Sequence, residues 1–339
     1  MISLFSKCVI KFLHSFLAVH LLLFPITCDY LTLTNHKSKI PNHKSFMSLQ
    51  KILKGTGVAL VTPFKQNDDV DLDGLAKVID HVIKGGVEYI VTLGTTGETP
   101  TLSKEEKISI IRYTYEKVSG RVPVVVGIGG NDTQVLIKEL KSFPLDKCVA
   151  VLSASPYYNK PSQEGLFLHY KMLAAASPKP ILLYNVPGRT GRNLTAATTL
   201  RLAKEVRNIA GIKEASGDMA QCMQILRDKP KDFLVVSGDD ALALPQIACG
   251  MEGVISVAAN AFPKKFSEMV RQSLQHDFVK AKKLNDELIE AYDLMFAENN
   301  PAGVKAYMTE MGLLKNNLRM PMVPLSAELH EKVKHYLKK

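Results

Sequence analysis

Cysteine is scarce in this sequence, and no two cysteines stand at metal-binding or redox spacing. The 339 residues include five cysteines, of which Cys8 and Cys28 lie within the first 46 residues. Cys148, Cys222 and Cys249 remain, an odd number with no CxxC motif. Disulfide frameworks use even numbers of cysteines and zinc sites use closely spaced pairs, so neither is indicated. We expect the three remaining cysteines to be reduced, buried thiols.

Motifs that hold metals, phosphates or dinucleotides are also missing. There is no G-x-x-x-x-G-K-[ST] phosphate loop, and the glycine-rich segment 127–132 has Asp132 where a dinucleotide-binding fingerprint needs its third glycine. Five histidines lie in stretches of helical period, none at ligand spacing from another histidine or cysteine: His81, His169, His276, His330 and His335. The sequence therefore predicts neither a metal site nor a bound cofactor.

Runs of basic residues are absent as well, although the formal net charge is +10. Five lysines and one aspartate give the first 46 residues a charge of +4, which leaves +6 for the other 293. In that larger part acidic and basic residues alternate along the expected helix surfaces, without five consecutive basic residues. Such mixing is typical of a solvated surface, so we expect no nucleic-acid partner.

The apolar stretch near the N-terminus is too short to cross a bilayer. Residues 16–26 follow Lys7 and Lys11 and are interrupted only by His20, as in a cleavable export signal. Cys28 resembles a lipoprotein cysteine only weakly, and the lack of arginine fits a transit peptide poorly. Residues 1–46 are thus either a signal-like extension or, as we favour, sequence upstream of a true start at Met47. We expect no stable membrane association.

The rest of the chain alternates short apolar runs with stretches of helical period. Its composition, 46 % hydrophobic and 22 % charged residues, is that of a folded globular protein. Eight apolar runs precede helical patterns, at 58–62, 89–93, 124–128, 148–152, 181–184, 209–213, 234–237 and 253–257. Runs without polar alternation indicate strands covered on both faces, hence a parallel sheet surrounded by helices. Eight such strands predict an α/β fold, a (β/α)8 TIM barrel.

Strand signals stop beyond Phe266, and the remaining residues have the pattern of amphipathic helices interrupted near Pro301 and Pro321. We therefore predict an N-terminal extension over residues 1–46, a (β/α)8 barrel over 47–266 and a C-terminal helical appendage over 267–339. Ser103 and Glu106 predict a capping box at the start of one barrel helix.

Active sites of such barrels lie where the strands end, so polar residues at those ends are the candidates. The second strand is followed by GTTGE, residues 94–98. Its glycines allow a tight turn, and the hydroxyls of Thr95 and Thr96, together with free N–H groups, suit an anion such as a carboxylate. An ordinary glycine-rich turn is the alternative for this motif taken alone.

One lysine, Lys213, ends the otherwise apolar sixth strand. Burial there disfavours an ammonium ion, so a neutral amine becomes available as a nucleophile toward a carbonyl. A lysine paired with Glu98 or Glu214 is the alternative. Tyr184, at the end of strand five, could relay protons, and Arg189 on the following loop could hold a carboxylate.

Five segments in this order resemble the dihydrodipicolinate synthase (4-hydroxy-tetrahydrodipicolinate synthase) family of pyruvate-dependent class I aldolases. They are GTTGE at 94–98, PYYNKP at 156–161, YNVPGRTG at 184–191, GIKEA at 211–215 and SGDD at 237–240. The likeness extends from Gly55 to Pro324. Other pyruvate aldolases, such as N-acetylneuraminate lyase and keto-deoxy sugar acid aldolases, share the lysine, the strand-five tyrosine and a similar turn, so they are the alternative. Arg189 favours the synthase branch.

The resemblance implies that this chain is an enzyme whose Lys213 forms a Schiff base with pyruvate. L-aspartate 4-semialdehyde would be the second substrate. Thr96 would hold the pyruvate carboxylate, and Arg189 would receive the carboxylate of the semialdehyde. The backbone carbonyl of Ile255 and the residue Gly238 would complete the substrate-binding set.

The resemblance also implies a proton relay of Thr95, Tyr184 and Tyr158. In the family the second tyrosine of the PYYNKP segment reaches across a dimer interface, so we expect Tyr158 to serve a neighbouring subunit of a homodimer or homotetramer. No cofactor is required, because the iminium on the lysine acts as the electron sink. The implied role is cytoplasmic lysine and diaminopimelate biosynthesis, with export only if residues 1–46 are translated.

The sequence departs from the family where many members bind lysine, the end product of the pathway. Two histidines and a glutamate of well-studied members are replaced by Lys104, Lys107 and Val135, while Asn131 and Tyr157 are kept. Two added cations and a lost carboxylate repel a cationic effector, so we expect weak or absent inhibition by lysine. A non-catalytic, membrane-tethered homologue is a further class, which an intact site disfavours.

Overall fold

The computed structural model describes residues 49–339, and the extension predicted for residues 1–46 lies outside them. Eight parallel strands close into a barrel in the order in which they occur along the chain. They are β1 (Gly55–Ala59), β2 (Tyr89–Thr92), β3 (Val124–Gly127), β4 (Ala150–Ala154), β5 (Ile181–Asn185), β6 (Ile209–Glu214), β7 (Leu234–Ser237) and β8 (Gly253–Ser256). Because β1 also pairs with β8, the ring is complete and the predicted (β/α)8 barrel is confirmed.

Helices follow the strands and cover the barrel from outside. The described chain contains α1 (Leu49–Ile52), α2 (Leu72–Lys84), α3 (Lys104–Val118), α4 (Thr133–Ser142), α5 (Gln163–Ala176), α6 (Pro187–Thr190), α7 (Ala196–Glu205), α8 (Met219–Asp228), α9 (Ala243–Ala248), α10 (Pro263–Leu274), α11 (Phe278–Asp286), α12 (Ile289–Phe296), α13 (Ala302–Glu310) and α14 (Ala327–Leu337). The predicted capping box is present at α3, where Ser103 Oγ accepts from Glu106 N (3.2 Å) and Ser103 N donates to Glu106 Oε2 (2.8 Å).

The first strand begins earlier than the apolar run 58–62 indicates, because its first half is rich in glycine. β1 starts at Gly55, and a Cβ on Gly57 would lie only 2.2 Å from a carbon of the Tyr89 ring. A glycine at this position therefore makes room for the tyrosine inside the barrel. A hydrophobicity pattern does not reveal the first half of this strand, because two of its first three residues are glycines.

Two apolar clusters flank the strands, one between strands and helices and a smaller one inside the barrel. Tyr89 is fully buried in the inner cluster. Leu49, the first residue of α1, and Leu53, which follows its last residue, belong to the same cluster. Since they precede the first strand, they close the barrel at the amino ends of its strands.

The predicted barrel boundary at residue 266 falls inside α10, which packs on β1, β8 and α2. This helix therefore takes the place of the eighth barrel helix, and we propose that the barrel extends to Leu274. The appendage then consists of α11 to α14, of which α12, α13 and α14 pack on one another. The sequence pattern shows these helices but not where they dock.

Of the three cysteines, Cys148 and Cys222 are buried thiols as expected, whereas Cys249 is exposed, so the prediction of burial is wrong for it. Cys249 follows the last turn of the short helix α9, whose apolar residues face the barrel on the other side. None of the helices in residues 49–339 combines the length and the hydropathy that a membrane span requires.

Candidate active site

A cavity of about 660 Å³ opens at the carboxyl ends of the strands. Six of the eight predicted site residues line it: Thr95, Thr96, Tyr184, Arg189, Lys213 and Gly238. They follow or end different strands, so residues far apart in sequence meet in one place, as a parallel barrel requires. We take this cavity as the candidate active site.

Lys213 is held next to a phenol and not next to a carboxylate. It pairs with Tyr184 in the register of β5 and β6, and its Nζ lies 4.3 Å from the centre of the Tyr184 ring. Only 4 % of Lys213 is exposed. The two carboxylates considered as its partners are engaged elsewhere, Glu98 with Lys305 and Glu214 with amide groups. The alternative of a structural ion pair with either of them is therefore wrong.

Gly238 makes room for the lysine at the end of β7. A Cβ at this position would lie 2.8 Å from Lys213 Cε and 2.7 Å from the Cβ of Ala215. Gly238 N also donates to Glu214 O (2.7 Å), which continues the pairing of β7 with β6. Any larger residue would displace the lysine chain from its position.

The segment 94–98 forms the predicted tight turn, a single turn of 3-10 helix over Thr95–Gly97. Gly97 N donates to Gly94 O (3.1 Å), and the hydroxyl of Thr62 donates to Gly97 O (2.8 Å). The first N–H groups of such a turn have no partner within it, so they can serve an anion together with the threonine hydroxyls. Thr96 is buried and Thr95 half-buried at the cavity wall.

The loop that carries Arg189 is tied to the sheet by a buried amide network. Asn185 Nδ2 donates to both oxygens of Glu214 (3.1 and 3.0 Å) and to Asn193 Oδ1 (2.7 Å). Gln221 Nε2 donates to Glu214 as well (3.1 Å). Glu214 follows Lys213 in the strand and therefore points to the opposite face, outside the barrel interior. The carboxylate thus supports the loop and leaves the lysine free.

Two predicted residues, Ile255 and Tyr158, do not line the cavity. Ile255 lies within β8 in the inner apolar cluster, 1 % exposed. Tyr158 is 86 % exposed and has a left-handed backbone (φ 69°). A second, smaller cavity of about 300 Å³ adjoins the first and is shared by Thr95, Tyr184 and Arg189. Within one chain, Tyr158 reaches neither cavity.

Comparison with known proteins agrees with this geometry. Residues 52–339 match the model of the dihydrodipicolinate synthetase family. The chain belongs to this family. Among its relatives is the 4-hydroxy-tetrahydrodipicolinate synthase of Phocaeicola vulgatus, 50 % identical over 289 residues, 85 % of this chain and 97 % of that protein. The synthase of Flavobacterium psychrophilum is 50 % identical over 284 residues, 84 % and 97 % of the two chains.

The solved structures agree with the same family fold. The dihydrodipicolinate synthase of Acinetobacter baumannii complexed with pyruvate is 40 % identical, with a TM-score of 0.82 over 84 % of this chain and 98 % of that chain. Membership of this family of lyases therefore accounts for the barrel fold. The resemblance noted in the five sequence segments is confirmed at the level of the family.

One wall of the cavity comes from the appendage, which sequence reasoning did not connect with the site. Tyr292, Asp293 and Phe296 of α12 line the cavity, and so does Asn300 between α12 and α13. Asn300 Nδ2 donates to Thr96 Oγ1 (3.1 Å). The interruption of the helical pattern at Asn300 was visible in the sequence, but its place beside the turn was not.

The prediction of weak lysine inhibition rests on residues of α3, α4 and the nearby loops. Val135 and Tyr157 are exposed, 48 % and 41 %. Lys107 lies 3.6 Å from Glu139 Oε1, so part of its charge is compensated within the chain. This pair is partly buried and leaves no free carboxylate on Glu139, so we still expect this face to be less favourable for a cation than one carrying a free carboxylate.

Proposed function

We propose that this chain is a 4-hydroxy-tetrahydrodipicolinate synthase, which condenses pyruvate with L-aspartate 4-semialdehyde through a Schiff base on Lys213. The observation that carries the proposal is the arrangement at the mouth of the barrel. A buried amine, whose two candidate carboxylate partners are engaged with other side chains, adjoins a phenol and an anion-binding turn. The relatives named above, half identical to this chain, carry the same activity in their names.

Lys213 starts the reaction as a nucleophile. Its amine adds to the ketone carbon of pyruvate, and loss of water leaves an iminium ion. The iminium withdraws electrons from the neighbouring methyl group, which releases a proton to give an enamine. The enamine carbon attacks the aldehyde carbon of the second substrate, whose oxygen takes up a proton. The amine of that substrate then attacks the iminium carbon, closes the ring and releases Lys213.

Protons must move at several of these steps, and Tyr184 is the phenol placed to move them. Its ring lies against Lys213, so its oxygen can exchange protons near the reacting carbon. Thr95 would pass protons along a relay with Tyr184 and with Tyr158 of a second subunit. Thr96 would hold the pyruvate carboxylate, and the carbonyl of Ile255 would contact bound pyruvate.

Arg189 is the residue that would distinguish this reaction from that of other pyruvate aldolases. It lines both cavities, and a guanidinium binds a carboxylate through two parallel hydrogen bonds. A sugar-acid aldolase is the second candidate. Turnover of aspartate semialdehyde together with inactivity on N-acetylneuraminate and keto-deoxy sugar acids supports the synthase; the reverse pattern overturns it.

The decisive experiment is reduction with borohydride in the presence of pyruvate, followed by mass mapping of peptides. We expect one adduct, on Lys213, and none in Lys213→Arg. Lys160, exposed on the PYYNKP segment, supplies the matched control, because Lys160→Arg should trap pyruvate as the unchanged chain does. Absence of an adduct on Lys213 contradicts the Schiff-base mechanism.

We further infer that the enzyme is a homo-oligomer, dimer or tetramer, in which Tyr158 enters the site of a neighbouring subunit. Its exposure and the unfilled cavity beside Thr95 support this assignment. Mixing Lys213→Ala subunits with Tyr158→Ala subunits should restore activity that neither variant has alone. If the mixture is as inactive as its components after subunit exchange, Tyr158 acts within its own chain or not at all.

The free thiols support a cytoplasmic place for the enzyme. Cys249 is exposed and the three cysteines of residues 49–339 form no disulfide, as is usual for proteins of reducing compartments. Fractionation of cells that produce the natural protein checks this proposal.

A further inference from the structure

A fully buried ion pair joins the anion-binding turn to the appendage. The side chains of Glu98, the last residue of the turn, and Lys305 of α13 are 1 % and 0 % exposed, and Lys305 Nζ donates to Glu98 Oε1. Lys305 Nζ also donates to Asn317 O (2.9 Å), and Glu98 Oε2 accepts from Arg319 N (3.0 Å). Burial lowers the pKa of Lys305 to about 8, against the opposing effect of the carboxylate.

Such a pair is a poor device for stability alone. Removing two charges from water costs several kcal/mol, which their attraction often only balances. The pair instead fixes the positions of both side chains, because a buried charge that moves away from its partner is left without compensation. Glu98 has a left-handed backbone (φ 53°), a conformation that a residue other than glycine keeps only when its surroundings hold it there.

A second contact from the appendage reaches the turn directly. The amide nitrogen of Asn300 donates to Thr96 Oγ1 at 3.1 Å, and both residues line the cavity. An amide N–H₂ can only donate, so the threonine oxygen is the acceptor and its own hydrogen must point elsewhere. Directed into the cavity, that hydrogen can be donated to a carboxylate.

We propose that the appendage sets the working shape of the anion-binding turn: Asn300 directs the Thr96 hydroxyl proton into the cavity, and the Glu98–Lys305 pair fixes the turn on α13. Asn300, Glu98 and Lys305 are positioning residues, since they act through Thr96 and its turn. The inference rests on the proposed function, because the anion concerned is the carboxylate of pyruvate.

Asn300→Leu tests the first contact, because leucine keeps the volume and removes the donor. We expect the pyruvate concentration that half-saturates borohydride trapping on Lys213 to rise about tenfold, the size of one hydrogen bond to a charged system. In a Thr96→Val background the same change should have no further effect. An equal effect in both backgrounds, or no effect in either, overturns the role of Asn300. Asn300→Ser, which leaves the site less crowded, is measured in parallel in case leucine unfolds the chain.

The double variant Glu98→Gln/Lys305→Met tests the pair, because both charges leave together and neither remains buried alone. We expect a similar melting temperature, a KM for pyruvate raised several-fold and an unchanged KM for aspartate semialdehyde. A lower melting temperature with unaltered kinetics would assign the pair a merely structural role. As the exposed control, Glu328→Gln/Lys332→Met removes a surface pair of α14 and should alter neither constant.

These outcomes are separable from failure of the proposed function. If the unchanged protein traps no pyruvate, the proposed function fails and the trapping assay shows it at once. If the unchanged protein traps pyruvate and the variants bind it equally well, only the positioning role fails.

Discussion

Lys213 and Tyr184 face each other across two neighbouring strands, so their contact is set by the sheet and not by flexible loops. Paired residues of adjacent strands keep their side chains side by side. Because the sheet register places both groups, small changes of the mouth loops leave the amine and the phenol together. Both were predicted as candidates because each stands near the end of an apolar strand, and the structure places them side by side.

Replacing Tyr184 by phenylalanine removes the proton-transfer group and keeps the ring. We expect kcat to fall by roughly 10²- to 10⁴-fold, while borohydride still traps pyruvate on Lys213. Steady-state kinetics and mass mapping measure the two effects. Tyr113→Phe, at a half-buried tyrosine of α3 that lines neither cavity, is the matched control. A kcat equal to that of the control would remove Tyr184 from the mechanism.

Asp240 is a buried carboxyl whose ionisation affects stability. It accepts from the N–H groups of Val257 (3.1 Å) and Ala258 (3.0 Å), yet burial outweighs these bonds and raises its pKa from 3.8 to about 6. A raised pKa means that the folded chain binds the proton more tightly than the unfolded chain. Its stabilising contribution is therefore complete below pH 4 and is lost as the pH rises through 6.

Comparison with Asp240→Asn makes this contribution measurable. The free energy of unfolding of the natural chain, relative to that of the variant, should decrease by about 2–3 kcal/mol between pH 4 and pH 7. Urea titrations at several pH values provide the measurement, and Asp232→Asn at the surface controls for the loss of one negative charge. A constant or increasing difference would show that Asp240 is ionised throughout the range.

At the scale of elements, the strands were predictable and the docking of the last helices was not. Apolar runs located all eight strands because each is covered on both faces. The start of β1 was predicted three residues too late, because glycines occupy two of its first three positions. The helical pattern beyond α10 shows which residues are apolar but not which surface they cover, so Tyr292 and Asn300 could not be assigned to the cavity. A helix that bridges a barrel mouth looks, in sequence, like any other amphipathic helix.

Gly57 and Tyr89 pair in the adjacent strands β1 and β2, where the tyrosine ring packs directly on the glycine. An added methyl group would lie 2.2 Å from the Tyr89 ring, so Gly57→Ala should destabilise the chain by about 1–3 kcal/mol through overpacking. Replacing the ring as well, in Gly57→Ala/Tyr89→Leu, should recover part of that loss. Thermal unfolding of these two variants, of Tyr89→Leu and of the natural chain gives the coupling free energy between positions 57 and 89. Additive effects would show that the two positions are independent.

At the scale of the whole molecule, we predict that a chain beginning at Met47 is a complete enzyme. The family match covers residues 52–339 and includes none of residues 1–46. The shortened chain should have the melting temperature and kcat of the full one. A chain beginning at Gly55 is the control: it lacks Leu49 and Leu53 and should melt lower. Loss of activity on removal of residues 1–46 would contradict the prediction.

Weak inhibition by lysine is a second prediction at the scale of the whole molecule. At roughly 1 mM lysine we expect little inhibition, because Lys104 and Lys107 add charge that a cationic effector must approach. The variant Lys104→His/Lys107→His/Val135→Glu should gain inhibition in the same assay. Half-maximal inhibition of the natural chain below that concentration would show that the two lysines do not oppose binding.

Leu49, Leu53 and Tyr89 fill the barrel interior at the amino ends of the strands, and the cavity beside Lys213 opens at their carboxyl ends. In the proposed mechanism, both substrates therefore reach Lys213 from the carboxyl ends of the strands, the side on which the product leaves. The substrate bound to the lysine then lies deepest in the cavity, and the second substrate lies between it and solvent. We therefore expect ordered binding, in which the substrate that forms the iminium on Lys213 binds before the second substrate.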